Sequence, residues 1–281
     1  MTRRFRAVGA AIVLTALPAL ARAEGEKVDL KPHFEVGQTL TYKIEASTEG
    51  VRHSPDGQPA TQKASQELTI TRKVTAVDEK SATVELTITH MKLKGETQSF
   101  KVDYDSDKPD AENAQNPVAQ QFKGVIGKPM TLTVGLDGEV KDLKTPEGMG
   151  PNPLGPPDAV KNQFSPLFRV KRGDPLTEVG SSWKTEDEQG AGGLGVMIIS
   201  AEAKLESVKD SVADVKIEGT MKPKDPAALP NLEFKNSSLK GGYAWDVKRG
   251  ITKAYTVTQK MTISGMLDMD TSTTSTMTLV E

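Results

Sequence analysis

The feature that most constrains this chain is a two-residue alternation of apolar and polar side chains, repeated in segment after segment. Leu68, Ile70 and Val74 share one parity, while Glu67, Thr69, Thr71 and Lys73 hold the other. A period of two puts each set on its own face of an extended backbone, so the segment reads as a half-buried β-strand. Ala82, Val84, Leu86 and Ile88 repeat the alternation against Thr83, Glu85, Thr87 and Thr89, with Asp78-Glu79-Lys80-Ser81 between the two runs as a hairpin turn. Further strands are expected at 40–46, 99–105, 130–134, 139–143, 196–207, 213–221, 242–247, 251–264 and 275–280. Two short helices are expected. Asn116 caps one over 117–123, and Asp158 starts another toward Gln163 before Pro166 disturbs it.

Near His90 the apolar phase changes: Ile88 and His90 share one parity, whereas Met91 and Leu93 occupy the other. A β-bulge reconciles the two runs, and His90 reads as a strand residue at that bulge.

The chain also resembles itself. Residues 73–86 lie without gaps over 204–217, pairing Val74 with Leu205, Val77 with Val208, Ala82 with Ala213, Val84 with Val215 and Leu86 with Ile217. Each copy is preceded by a similar lead-in, Glu35-Val36-Gly37 and Glu178-Val179-Gly180, and followed by a second turn, Asp137-Gly138 and Arg249-Gly250. The expected fold is therefore mainly β: an antiparallel curved sheet, a partly open barrel or a sandwich, built from two similar halves with one or two short helices. The expected domains are a first β half over 24–145, a Pro/Gly-rich linker with a short helix over 146–175, and a second β half over 176–281.

Residues 1–23 read as a secretory signal peptide: Arg3, Arg4 and Arg6, an apolar run from Val8 to Leu20, and Ala21-Arg22-Ala23 as the cleavage site. The apolar run is shorter than the roughly 20 residues a membrane-spanning helix needs, so no transmembrane segment is expected after cleavage. Cleavage leaves 32 basic against 38 acidic residues, a net charge of −6. Such a balance gives no means of neutralising phosphates, which argues against nucleic-acid partners. The chain has no Cys, hence no disulfide and no lipidated N-terminal Cys. The expectation is a soluble periplasmic or secreted protein without a lipid anchor.

Familiar catalytic patterns fail in context. Gly190 to Gly195 spells G-x-G-x-x-G, but it leads into the apolar run 196–199, whereas the dinucleotide fingerprint must open a helix. His33, His53 and His90 lie far apart and suggest neither a zinc centre nor a nucleophilic triad. No cofactor is expected. The densest set of oxygen ligands is Asp103, Asp105 and Asp107, a candidate calcium site, although Lys108 stands where an EF-hand loop requires Gly. Trp183 and Trp245 read as core anchors of the second half, the alternative being a sugar-stacking platform of Trp183, Tyr243 and Trp245. Met261, Met266, Met269 and Met277 read as β core or as the lining of an adaptable apolar pocket.

Val179-Gly180-x-x-Trp183, the strand-ending Tyr104-Asp105-Ser106 and the turn residue Gly138 after a Gly127-led strand together resemble an uncharacterised family of exported bacterial β-rich proteins. In general plan the chain is also similar to periplasmic lipoprotein carriers, whose curved sheet and few helices enclose an apolar cavity. That likeness implies a non-catalytic binding or carrier-like protein of the cell envelope. It would hold an apolar small molecule, a lipid or a segment of an envelope protein against a curved sheet. Val84, Leu86, Ile88, Val215, Ile217 and Trp245 are the candidate ligand-binding residues. The alternatives are a periplasmic hydrolase using paired carboxylates and a purely structural envelope module.

Overall fold

The computed structural model describes residues 25, 27–53, 59–97, 101–109, 113, 116–146, 154–171, 173–190, 195–229, 231–265 and 268–280. The proposed signal peptide, residues 147–153 of the Pro/Gly-rich linker, the centre of the G-x-G-x-x-G segment and Met266 lie outside these residues. The strands in chain order are β1 (Lys27–Asp29), β2 (Thr39–His53), β3 (Pro59–Val77), β4 (Ser81–Glu96), β5 (Lys101–Asp105), β6 (Pro129–Gly135), β7 (Val140–Lys144), β8 (Leu176–Glu178), β9 (Ser182–Gly190), β10 (Val196–Lys209), β11 (Val212–Pro223), β12 (Leu232–Asp246), β13 (Ile251–Gly265) and β14 (Asp268–Val280). Two helices interrupt them, α1 (Pro117–Phe122) and α2 (Pro157–Phe164).

Twelve strands form one antiparallel sheet in the order β7-β6-β4-β3-β2-β14-β13-β12-β11-β10-β9, with β5 added to the outer half of β4. β1 and β8 form a separate two-stranded ribbon. The order 2-3-4-6-7 and the order 9-10-11-12-13 are the same path taken twice, and β14 lies between them, paired with β13 on one side and β2 on the other. The sheet is open, because β7 and β9 do not pair with each other. Both edges nevertheless contact α2, and the Asn162 side-chain amide donates to the carbonyl of Glu188 on β9. An eight-residue helix touching both ends of the strand path requires the sheet to wrap around it.

The two hairpins that align in sequence also agree in register. Val74 faces Val84 and Ala76 faces Thr83, which skips Thr75; Leu205 faces Val215 and Ser207 faces Asp214, which skips Glu206. The lead-ins match too. The Gly37 N–H donates to Val74 O at 2.8 Å and the Gly180 N–H to Leu205 O at 2.8 Å. Gly37 and Gly180 have φ of 88° and 95°, a left-handed conformation that an L side chain resists. The turns differ. Asp78 Oδ1 accepts from the backbone N–H of Lys80 and Ser81 at 2.7 and 2.8 Å, whereas Asp210 and Ser211 both have positive φ, as a two-residue hairpin turn requires.

The inner ends of the strands carry the core. Over the first run, Leu68, Ile70, Val74, Ala82, Val84, Leu86, Ile88, Leu132 and Val134 pack beneath Phe122 of α1, Val160 and Phe164 of α2, and Leu167 and Phe168. Over the second, Leu205, Val208, Ala213, Val215, Leu239 and Trp245 pack beneath Val28, Leu30 and Val170. Tyr255 touches both clusters and joins them. Arg72 is buried within the first, its guanidinium 5.3 and 5.0 Å from the ring centres of Phe34 and Phe168, a cation–π sandwich.

The expected helices form with small shifts. Asn116 Oδ1 accepts from the Val118 N–H at 3.0 Å, capping α1 as its sequence implies. The second helix starts at Pro157 rather than at an Asp158 cap, and Asp158 instead sits in its first turn, bound to Lys161 at 2.6 Å. β9 and the outer half of β12 escaped the alternation test. β9 is a polar edge strand, and in β12 the register slips between Phe234 and Asn236, which breaks the period.

Candidate functional site

The six residues expected to bind a ligand are part of the two cores. Val84, Leu86, Ile88 and Trp245 have no exposed surface, and Val215 and Ile217 retain 2% and 9%. They hold the sheet to its covering layers, and none of them borders the two grooves on the opposite face. Because their parity continues along the same strands, they nevertheless mark the face that matters.

Beyond Ile217 that face runs outward past the last covering element. In antiparallel pairs, register partners share a face. Ile199 lies opposite Met221, Met261 opposite Ser237 and Thr271, and Ile263 between Phe234 and Met269. Met197 is one pleat further out, opposite Pro223. These residues form an apolar strip on the inner face of β10 to β14, with Met197 and Ile263 nearly inaccessible at 4% and 1% and the rest half-buried. Of the described helices, α2 reaches its margin at β9, where the Asn162 amide meets Glu188 O, opposite Ile198. Across β14 the same face turns polar: Met269 meets Arg52, Thr273 meets Thr48, Gly50 meets Gln62 and Ala46 meets Gln66. The Thr48 and Thr273 hydroxyls bond each other at 2.9 Å. The inner face beyond the core is therefore apolar on one flank and hydrogen-bonding on the other.

Two glycines permit the tight coiling of the apolar flank. A Cβ at Gly219 would strike the backbone of Ser200 and Ala201, and one at Gly241 the backbone of Thr256 and Val257. Gly50, on the polar flank, has its nearest neighbours at 3.6 Å, an ordinary contact distance.

The opposite face is polar. It carries two open grooves of about 380 and 430 Å³ over β2 to β5, bordered by Glu45, Glu67, Lys92, Lys94 and, in the second, Asp103. Acids and bases alternate along them, so neither presents a field of one sign or an apolar floor.

At the rim of this face the bulge expected near His90 is present: Thr69 faces His90 and Ile70 faces Ile88, leaving Thr89 unpaired. The bulge aims His90 at the end of β5. His90 Nδ1 lies 3.0 Å from Asp107 Oδ2 and 3.9 Å from Asp105 Oδ1, and Lys92 Nζ lies 3.3 Å from Asp105 Oδ2. Of the proposed calcium ligands, Asp105 and Asp107 converge, whereas Asp103 sits one pleat back on β5, opposite Lys94. The Asp107 backbone N–H, followed by the Lys92 ammonium and the charge on His90, holds the Asp105 carboxyl below the usual carboxylate range against the opposing effect of burial. Ser106 Oγ is 3.4 Å from the same His90 Nδ1 that Asp107 approaches, and it accepts from the Met91 N–H at 2.9 Å. A Ser-His-Asp relay needs the serine and the acid on different ring nitrogens, so this trio is not arranged as one.

No protein-family model and no curated protein matches the sequence. Among solved structures the chain is similar to lipovitellin, in a structure concerned with lipid–protein interactions, at 14% identity and a TM-score of 0.56. That match covers 89% of this chain and 26% of the lipovitellin chain, so the protein spans about a quarter of its neighbour's length. DynF of the dynemicin pathway of Micromonospora chersina also aligns, at 9% identity over 96% of this chain and 92% of its own, with a TM-score of 0.23. At such identities the lipovitellin likeness is one of fold.

Proposed function

We propose that this protein is an exported, carrier-like binding protein of the bacterial cell envelope, and that its ligand is an apolar small molecule, a lipid or an apolar segment of an envelope protein. The observation that carries the reading is the strip of Met197, Ile199, Met221, Phe234, Met261, Ile263 and Met269 on the inner face of the sheet, outward of the two packed cores. Methionine is unbranched and polarisable, so it accommodates apolar ligands of varied shape. The polar residues across β14 give an amphiphile somewhere to place its head group. The lipovitellin fold likeness fits this reading, since that protein is described by its lipid–protein interactions. Export and a periplasmic or secreted location rest on the signal-like residues 1–23.

We also propose that the two strand paths descend from one duplicated unit. The shared strand order, the bulge at the same position in each hairpin and the two equivalent lead-in hydrogen bonds support it.

The test of binding is a titration of the purified protein with a fluorescent fatty acid, alongside native mass spectrometry of protein taken directly from cells. Saturable binding that falls by about tenfold or more in the Met221→Asp, Met261→Asp double variant supports the reading. A wild-type protein that leaves cells empty and binds no such probe contradicts it.

A further inference from the structure

We infer that His90, Asp105 and Asp107 together form a binding site for one divalent transition-metal ion of the zinc type. The site lies on the rim of the polar face, away from the apolar strip, so it does not depend on the reading above.

Three separate backbone features bring the ligands together. The unpaired Thr89 of the bulge turns His90 toward β5, the last residue of β5 supplies Asp105, and the turn that follows supplies Asp107. One ligand atom from each lies within 4.8 Å of the other two. Four-coordinate zinc, with bonds of about 2.0–2.2 Å to nitrogen and oxygen, sets neighbouring ligand atoms about 3.3 Å apart. The His90 Nδ1 separations of 3.0 Å to Asp107 Oδ2 and 3.9 Å to Asp105 Oδ1 bracket that value. Closing on an ion thus asks only for side-chain adjustments.

The surroundings are also held in place. The Asn113 amide donates to Asp105 O and Lys108 O, both at 3.1 Å, and the Asn116 amide donates to Asp103 O at 3.0 Å. The Asp107 N–H donates to Asp105 Oδ1 at 3.1 Å, and Lys92 engages the other oxygen of Asp105, so this carboxylate has its own supporting partners as metal-ligating carboxylates do. Asp107 is 73% exposed, which gives an ion access and leaves a coordination position for water.

The donor set decides the class of ion. One imidazole with two carboxylates suits zinc, nickel or manganese. Calcium takes six to eight oxygens, and here Asp103, the third acid of the sequence pattern, sits one pleat back on β5 opposite Lys94, so the set is short of the oxygens calcium needs.

The experiment is isothermal titration of the chelator-treated protein with zinc chloride, repeated with calcium chloride. One zinc ion per chain at micromolar affinity, weakened by about tenfold or more in His90→Gln and in Asp107→Asn but unchanged in Asp103→Asn, is the expected result. Asp107 is exposed, so its variant keeps the test valid should His90→Gln fail to fold. The absence of zinc binding, zinc binding that both ligand variants leave intact, or tighter binding of calcium would overturn the inference.

Discussion

The same strand path is laid down twice in this sheet, but the two passes are finished differently. The first is roofed by α1, α2 and the Ser165–Leu167 turn, and its inner face beyond the core is polar, with Thr48, Gln62, Gln66 and Arg52. The second is covered mainly by the β1–β8 ribbon and Val170, with α2 touching its edge strand β9 and the Ser165–Leu167 turn touching β13, and its inner face carries the apolar strip toward the tip. Aligned positions show the divergence residue by residue: where the first pass buries Arg72, the second has Ala203, and Val74, Val84 and Leu86 correspond to Leu205, Val215 and Ile217. What the two share is the machinery of a stable hairpin. What separates them is the outer surface, where folding makes few demands and a binding role can act.

The strongest way to probe this comparison is to damage each core. Trp245→Ala in the second pass and Leu86→Ala in the first should each cost about 2–5 kcal/mol, with the tryptophan at the upper end, because both side chains are fully enclosed. Since Tyr255 belongs to both clusters, denaturant unfolding followed by fluorescence and by circular dichroism should give one coincident transition in either variant. Two separated transitions would mean that the passes fold as independent domains.

Glycine replacement sharpens the contrast on the inner face. Gly241→Ala forces a methyl into the backbone of Thr256 and should destabilise by about 1–3 kcal/mol, whereas Gly50→Ala on the polar flank meets only ordinary contacts and should leave the melting temperature nearly unchanged. Equal effects would show that the two flanks are coiled alike.

Alkaline pH tests the junction between the passes. Tyr243 and Tyr255 meet there with ring centres 4.7 Å apart and planes tilted by 42°. Burial pushes the Tyr255 hydroxyl up to about 12 and that of Tyr243 well above its ordinary value. Their contribution to stability is complete below the unfolded value near pH 10. It is lost as pH rises toward 12, because the unfolded chain releases its phenolic protons first. Tyrosinate absorbance should therefore show all four tyrosines titrating above their ordinary value, Tyr243 and Tyr255 last, and the denaturant midpoint should fall between pH 9 and pH 11. A junction open to water would titrate near 10 with no such fall.

The smallest expected effect concerns Arg72. Its Nη1 reaches the Leu167 carbonyl at 3.5 Å, the Tyr42 hydroxyl is its other polar neighbour, and no carboxylate among the described residues neutralises it. Replacing a buried charge by a shape-matched apolar chain is often neutral or better, so Arg72→Met should leave stability unchanged or raise it by about 1 kcal/mol. A large loss would show that the sandwich between Phe34 and Phe168 matters more than the cost of burying the charge.

Much of this was legible beforehand, for identifiable reasons. Alternation at 68–74 and 82–89 exposes strand, parity and pairing at once, and the change of phase at His90 announced the bulge to within a residue. Asn116 before Pro117 gave the α1 cap. β9 was missed because an edge strand of Glu, Asp, Lys and Thr has little apolar pattern to read, and the outer half of β12 because a bulge breaks the period. The acidic run around Asp105 was visible, but its partner was not: His90 is 15 residues away in sequence and meets Asp105 only because β5 adds to β4 just past the bulge.

By itself, then, the amino-acid order determined that this chain builds long antiparallel strands, which face of each strand is apolar, and where hairpins turn, because all of these depend on neighbouring residues. The tertiary structure alone decided which part of the apolar face is covered. Val84 and Met221 obey the same alternation, but Val84 is enclosed in the core beneath α1 and α2, whereas Met221 stays half-buried. Coverage depends on where distant segments pack, and no local periodicity records that.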